Sequence, residues 1–187
     1  MEYFLLTCGE HTKRLRSPEL ARLAGLAPQK LLTKDLTTKL EAMNLVLLTA
    51  DDTEQYADII TSPVYLVSNT IKELFEKYDK TLQFKALRII HKNTQEQFLY
   101  WIIGVDECDC LSEQTEFLPM KILKKLVLKQ ENIGDKPIFK VGGISQQCLV
   151  VRLDVAESLL RRFTYGIELR QIKMEEEYIS DAYITST

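Results

Sequence analysis

Between residues 63 and 105 the apolar positions change period twice, from a short run to a helical repeat and then to strand-like runs. Val64 to Val67 reads as a strand. Ser68-Asn69-Thr70 offers side-chain oxygens that accept bonds from the free amides of a helix start, and Thr70-x-x-Glu73 fits a capping box. Ile71, Leu74, Phe75 and Tyr78 follow at i, i+3, i+4 and i+7, backed by Lys72, Glu73, Glu76 and Lys77, which predicts an amphipathic helix. Leu82 to Lys92 and Gln97 to Val105 predict two strands about an Asn93-Thr94-Gln95-Glu96 turn. Phe98, Tyr100 and Trp101 lie in the second of these runs and read as sheet core; an RNA-binding sheet needs outward aromatics with basic neighbours.

Upstream, Tyr3 to Thr7 predicts a strand ended by Cys8-Gly9-Glu10-His11. Ser17-Pro18-Glu19 predicts the start of a short helix through Leu20 and Leu23 that Gly25 stops. Leu31 to Leu40 is ambiguous. Leu45 to Leu48 reads as a buried strand, and Asp51-x-x-Glu54 as the cap of a short helix with Tyr56, Ile59 and Ile60 on its apolar face, cut off by Pro63. Downstream, Val105 to Phe117 is an acidic, cysteine-bearing loop, Lys121 to Lys129 a strand or helix turn, and Gly134-Asp135-Lys136 a turn. Pro137 to Val141 is a strand ended by Gly142-Gly143, which lacks the Gly-Lys-Ser/Thr of a phosphate loop. From Lys173 the tail is polar and acidic.

A shift of 85 positions lays the central unit on Leu149 to Ile172 without a gap. Val64 to Val67 falls on Leu149 to Arg152 as strand, Asn69 on Asp154 as cap, and Asp154-x-x-Glu157 is a second capping box. Ala156, Leu159, Leu160 and Phe163 fall on Ile71, Leu74, Phe75 and Tyr78. The change of strand phase from Leu82 and Phe84 to Leu87 recurs from Ile167 and Leu169 to Ile172, as a matched bulge would produce. The expectation is an α+β fold: a mixed or mainly antiparallel sheet with two amphipathic helices from a repeated strand-helix-strand unit.

The chain has 187 residues, 45% of them hydrophobic, and no proline- or glycine-rich linker, which predicts one domain over 1–187 with an N-terminal segment 1–57 and a tail 173–187. In MEYFLLTCGEHTKRLRS the charges follow the short apolar run, the reverse of a secretory signal, so a cytoplasmic location is expected, with the four cysteines reduced. A net charge of −3 gives no general attraction to nucleic acid or anionic membrane, and Arg161, Arg162 and Arg170 stand beside acidic residues. Cys8-x-x-His11 with Cys108-x-Cys110 holds enough sulfur and imidazole for zinc, but at spacings unlike the usual paired elements. A thiol nucleophile would need a base such as His11 or His91, and His91 reads as an exposed turn residue. Asp106 and Asp109 serve acid and base roles only if they line a cleft. There is no G-x-S-x-G, H-E-x-x-H, Walker or G-x-G-x-x-G motif.

Leu66-Val67-Ser68 before the helix, the acidic Val105 to Leu111 after a hydrophobic strand pair, Ile138-Phe139-Lys140-Val141, and Tyr165-Gly166-Ile167 after a second strand and helix occur in that order. The set resembles immunity-protein family eleven of bacterial polymorphic toxin systems, over roughly Asp58 to Ile172. Two positions depart from that pattern: Arg152-Leu153-Asp154 replaces a serine-acid cap, and Cys110 stands where aspartate is common. The resemblance implies a cytosolic, non-enzymatic protein without a cofactor that binds and neutralises a cognate protein toxin by occlusion. The carboxylates Asp106, Glu107, Asp109, Glu113 and Glu116 are then the expected partner-binding residues, since clustered negative charge steers onto a basic site. The rival expectation is a small zinc- or thiol-dependent enzyme built on Cys8, His11, Cys108 and Cys110.

Overall fold

The computed structural model describes residues 1–9, 33–38, 40–48, 56–61, 64–162 and 164–175. In chain order the elements are β1 (Tyr3–Cys8), α1 (Lys34–Thr37), β2 (Met43–Leu48), β3 (Ile59–Ile60), β4 (Leu66–Ser68), α2 (Asn69–Tyr78), β5 (Gln83–His91), β6 (Gln97–Gly104), β7 (Glu107–Cys108), β8 (Glu116–Leu118), β9 (Ile122–Lys125), β10 (Val127–Leu128), α3 (Gln130–Ile133), β11 (Ile138–Val141), β12 (Leu149–Arg152), α4 (Leu153–Leu160), β13 (Ile167–Gln171) and β14 (Lys173–Met174). The fold is α+β. One five-stranded sheet runs β13-β1-β12-β11-β7 and the other β2-β5-β6-β4-β3, and β8-β9 and β10-β14 form two small ladders.

The strand-helix-strand unit does occur twice, and in both copies a third strand is inserted between its two strands. β4 and β5 each pair antiparallel with β6, so they run parallel with β6 between them. β12 and β13 each pair antiparallel with β1, which fills the same place in the other sheet. The helices α2 and α4 meet in the central core. Ile71, Leu74 and Phe75 of α2 join Val155, Ala156 and Leu159 of α4, Val67 and Ile103 of one sheet, and Leu6, Leu149 and Val151 of the other. Tyr78 ties the helices together, its hydroxyl 3.0 Å from the Asp154 carbonyl oxygen and 2.7 Å from Ser158 Oγ.

Neither helix starts as the capping boxes predict. Ser68 caps α2, its Oγ accepting from the Ile71 amide at 3.5 Å, while Asn69 reaches Glu73 along the helix surface. No side chain caps α4; Asp154 instead takes a bidentate pair from Arg152. That ion pair holds the Asp154 carboxyl below its usual range, with the Arg152 hydrogen bond as the main cause. α4 therefore begins one position earlier than the 85-residue shift would place it, and Val155 enters the core while Leu160 is left 63% exposed.

The strand phase switch is not a bulge. β5 pairs with β6 in unbroken register from Gln83↔Gly104 to Ile90↔Gln97, and β1 with β13 from Phe4↔Gln171 to Cys8↔Ile167. Phe84 packs on the central core, whereas Leu87 and Ile89 face an outer core with Val46, Tyr56, Ile60 and Tyr100. Likewise Ile167 and Leu169 face inward, and Ile172 joins Tyr3, Phe139, Val150 and three cysteines on the far side of its sheet. In each copy the apolar side chains first meet the central core and then, further along the chain, a second apolar cluster on the other face, with Ile172 one residue past the end of β13.

Three more expectations change. Leu45 to Leu48 lies in β2, the end strand of its sheet, where Val46 is buried but Met43, Leu45 and Leu47 are largely exposed. Ile59 and Ile60 form a strand antiparallel to β4 rather than a helix face. Lys121 to Lys129 resolves into the strands β9 and β10, and the short helix α3 was not anticipated. The helix predicted from Ser17, the Asp51 cap, Pro63, the Phe163 side chain and the tail beyond residue 175 lie outside the described residues.

Gly104 ends β6 beneath α1. A Cβ there would collide with Thr37 Oγ1 and come within 2.8 Å of Thr37 Cβ and 3.2 Å of the Lys34 Cα. Thr37 is fully buried and holds the Thr33 carbonyl, so it has nowhere to move. Gly104→Ala should lower stability by about 1–3 kcal/mol through overpacking, read as a fall in the urea midpoint; an unchanged midpoint would mean that α1 yields freely.

Candidate partner-binding surface

The acidic run bridges the two sheets. After β6 the chain crosses to the other sheet, where β7 pairs parallel with β11 through Lys140↔Glu107 and Val141↔Cys108. Along it Cys108 and Cys110 turn inward, 4% and 0% exposed, while Asp106, Glu107 and Asp109 turn outward. The acid-cysteine alternation from Glu107 to Cys110 is thus the period-two signature of an extended segment lying against a core.

Three of the five carboxylates are already paired. Asp106 Oδ2 lies 2.8 Å from Lys34 Nζ, Glu107 Oε2 2.8 Å from Lys140 Nζ, and Glu116 2.7 Å from Lys124 and 3.7 Å from Lys125. The Lys124 contact is the main cause that holds the Glu116 carboxyl below its usual range, and Glu116 raises the Lys124 ammonium in return. Asp109 and Glu113 are exposed and form no ion pair among the described residues. Two of the five carboxylates are thus without an ion pair among the described residues, and the other three serve as local clasps.

The Lys140–Glu107 clasp is asymmetric. The lysine side chain is 9% exposed and the glutamate 47%. Glu107→Gln leaves a buried ammonium with a weaker acceptor and should cost about 1–3 kcal/mol. Lys140→Met removes the charge that needed a partner and should be close to neutral or stabilising. Urea midpoints of the two single variants test this, and equal losses would refute it.

Directly after the run, β8 and β9 form a hairpin that carries apolar side chains into solvent. Phe117, Leu118 and Ile122 are 42–47% exposed and Met120 is 88% exposed. Its turn holds Met120 and Lys121 at φ 62° and 58°, a left-handed conformation that costs energy in residues with a Cβ. The sequence pattern predicts a loop up to Phe117 and a strand or helix turn from Lys121, but not the pairing of β8 with β9. Its only local signal is the apolar FLPMKIL sequence, which resembles core as much as surface.

Among the described residues of the enzyme reading, Cys108 and Cys110 lie together and Cys8 does not join them. Cys8 packs against the central core, while Cys108, Cys110 and Cys148 lie in the outer core on the opposite face of the same sheet. Burial pushes the Cys110 thiol up to about 12, with Cys108 and Asp109 adding to the shift, and burial pushes Cys148 up to about 11 against the opposing pull of the Lys140 ammonium. Such thiols are protonated at neutral pH and poor nucleophiles. His11 lies outside the described residues. His91 is not an exposed turn residue: it is 2% exposed, its Nε2 is 2.8 Å from the Tyr56 hydroxyl, and its ring stacks on Tyr56. It shares strand parity with Leu87 and Ile89, which is the sequence signal for that burial. Among the described residues no group of three or more His, Cys, Asp or Glu is arranged to hold a metal ion, and no helix is long and apolar enough to cross a membrane.

Together these features define an α+β protein with two split strand-helix-strand units and an exposed hairpin. Compared with protein-family models and with curated proteins, the chain matches none. The resemblance to the immunity family rests on the segments quoted above.

Proposed function

We propose that this is a non-enzymatic binding protein of the toxin-immunity type, which neutralises a cognate protein toxin in the cytoplasm by covering its working surface. The observation that carries the reading is the β8-β9 hairpin, with Phe117, Leu118, Met120 and Ile122 exposed immediately after the acidic run. An apolar protrusion beside charged residues has the anatomy of an interface, where a few desolvated anchors inside a polar rim supply most of the affinity. Asp109 and Glu113 are the carboxylates available to that rim. A stable complex would bury on the order of 1,600 Å² in total. Nucleic acid, membrane and cofactor have no part in this reading.

Coexpression with the toxin encoded beside it tests the proposal. The wild-type chain should bind the toxin and protect the cells, and Met120→Asp should weaken the complex by about 2 kcal/mol or more, as loss of a central anchor does. The joint variant Asp109→Lys/Glu113→Lys should chiefly slow association. A chain that neither binds nor protects sinks the proposal.

A further inference from the structure

A cleft of about 420 Å³ runs between residues 123–126 and residues 170–173, over Leu5. Its volume falls within the roughly 300–1,000 Å³ of ligand sites. Leu5, Leu123, Leu126 and Ile172 supply an apolar floor, and Lys124, Lys125, Arg170 and Lys173 supply the rim. Residues 117 to 129 contain four lysines and no carboxylate, in a chain whose net charge is −3. The carboxylates that reach the cleft walls are Glu116 on Lys124 and Lys125, Glu168 on Arg170 at 2.6 Å, and Glu2 on the Gln171 amide at 2.9 Å. Among the described residues the four cations outnumber these three carboxylates. Lys125 holds its partner only at 3.7 Å, and Lys173 has no ion pair among the described residues.

Both walls include end strands. β13 pairs with β1 and β9 with β8, and among the described residues neither has a strand on its other side. Unpaired strand edges recruit extended chains through main-chain bonds, and alternate side chains then select the sequence. We propose that this cleft is a binding site for an extended acidic peptide segment of a partner protein, with apolar residues alternating with Asp or Glu. Its apolar side chains would settle on Leu5, Leu123, Leu126 and Ile172 while its carboxylates bridge to Lys125 and Lys173. The site is separate from the hairpin tip, and the inference stands without the toxin reading.

Panning a dodecapeptide display library against the full chain, with no toxin present, tests it. The enriched peptides should alternate Asp or Glu with apolar residues. A synthetic copy of one should bind at least tenfold more weakly to Lys125→Glu/Lys173→Glu and more weakly to wild type as salt is raised. The milder Lys173→Gln should give a smaller loss in the same direction, and Lys80→Glu/Lys92→Glu, elsewhere on the surface, should change nothing. The proposal is overturned if no peptides are enriched, if those enriched are neutral or basic, or if the cleft reversal leaves affinity unchanged in a folded protein. It is overturned equally if the protein binds phosphatidylserine vesicles through Lys125 and Lys173 and acidic peptides do not compete.

Discussion

Phe75→Ala should lower the stability of this protein by about 3–5 kcal/mol, the cost of emptying a large aromatic site in a closed core. Phe75 is 0% exposed and belongs to the one apolar cluster shared by both sheets and both long helices. The vacated space is walled by elements that cannot all collapse inward at once, because each is also anchored to another layer. Total stabilities are about 5–15 kcal/mol, so the loss is a large share, and a chain of this length should show a fall in Tm of about 10 °C. The informative control is Leu160→Ala. The 85-residue repeat sets Leu160 opposite Phe75, yet it is 63% exposed and should change stability by no more than about 0.5 kcal/mol. Equal losses at the two positions would mean that the repeat extends to helix rotation and that α4 is not rolled toward Val155.

That contrast shows what local sequence pattern specifies here. The periods of the apolar residues located β1, α2, β5, β6, β11, β12 and the body of α4, because each element must present an apolar stripe to something. The partner of each stripe is decided elsewhere in the chain. β1 pairs with β12 and β13, roughly 150 residues away, and nothing within residues 3–8 names those partners. For the same reason the phase changes at Leu87 and Ile172 suggested a bulge: one strand in isolation cannot show that a second layer covers its other face. His91 was lost in the same way, its parity with Leu87 and Ile89 outweighed by the polar turn that follows it. The acidic run was legible as composition but not as geometry, since the lysines that clasp it come from residues 34, 124, 125 and 140. The exposed hairpin and the basic cleft are tertiary products, and the hydrophobicity of 117–123 points the other way.

The second large effect concerns alkaline pH, and it also separates the binding reading from the thiol-enzyme reading. Cys110 and Cys148 are raised from 9.0 to about 12 and about 11, chiefly by burial. Tyr65 and Tyr100 are raised by burial as well, with their hydroxyls donating to the Leu6 and Ala57 carbonyls. A group whose acid form is favoured in the folded state contributes stability that is fully present below its unfolded pKa. That stability is lost as pH rises toward the folded value. For the thiols the window opens near pH 9 and closes near 11 to 12, and each costs up to about 1.4 kcal/mol per pH unit inside it. By pH 11 the two together should remove on the order of a few kcal/mol, with the tyrosines adding to the loss above pH 10. Urea midpoints should therefore be level from pH 7 to 8.5 and fall steeply beyond, and Cys148→Ala should make the fall shallower. Over the same neutral range Cys110 and Cys148 should resist alkylation until the chain unfolds. Rapid alkylation of Cys110 at pH 7 in the folded protein, with stability flat to pH 11, would instead describe an accessible, acidified thiol, and that result would favour the rival enzyme reading.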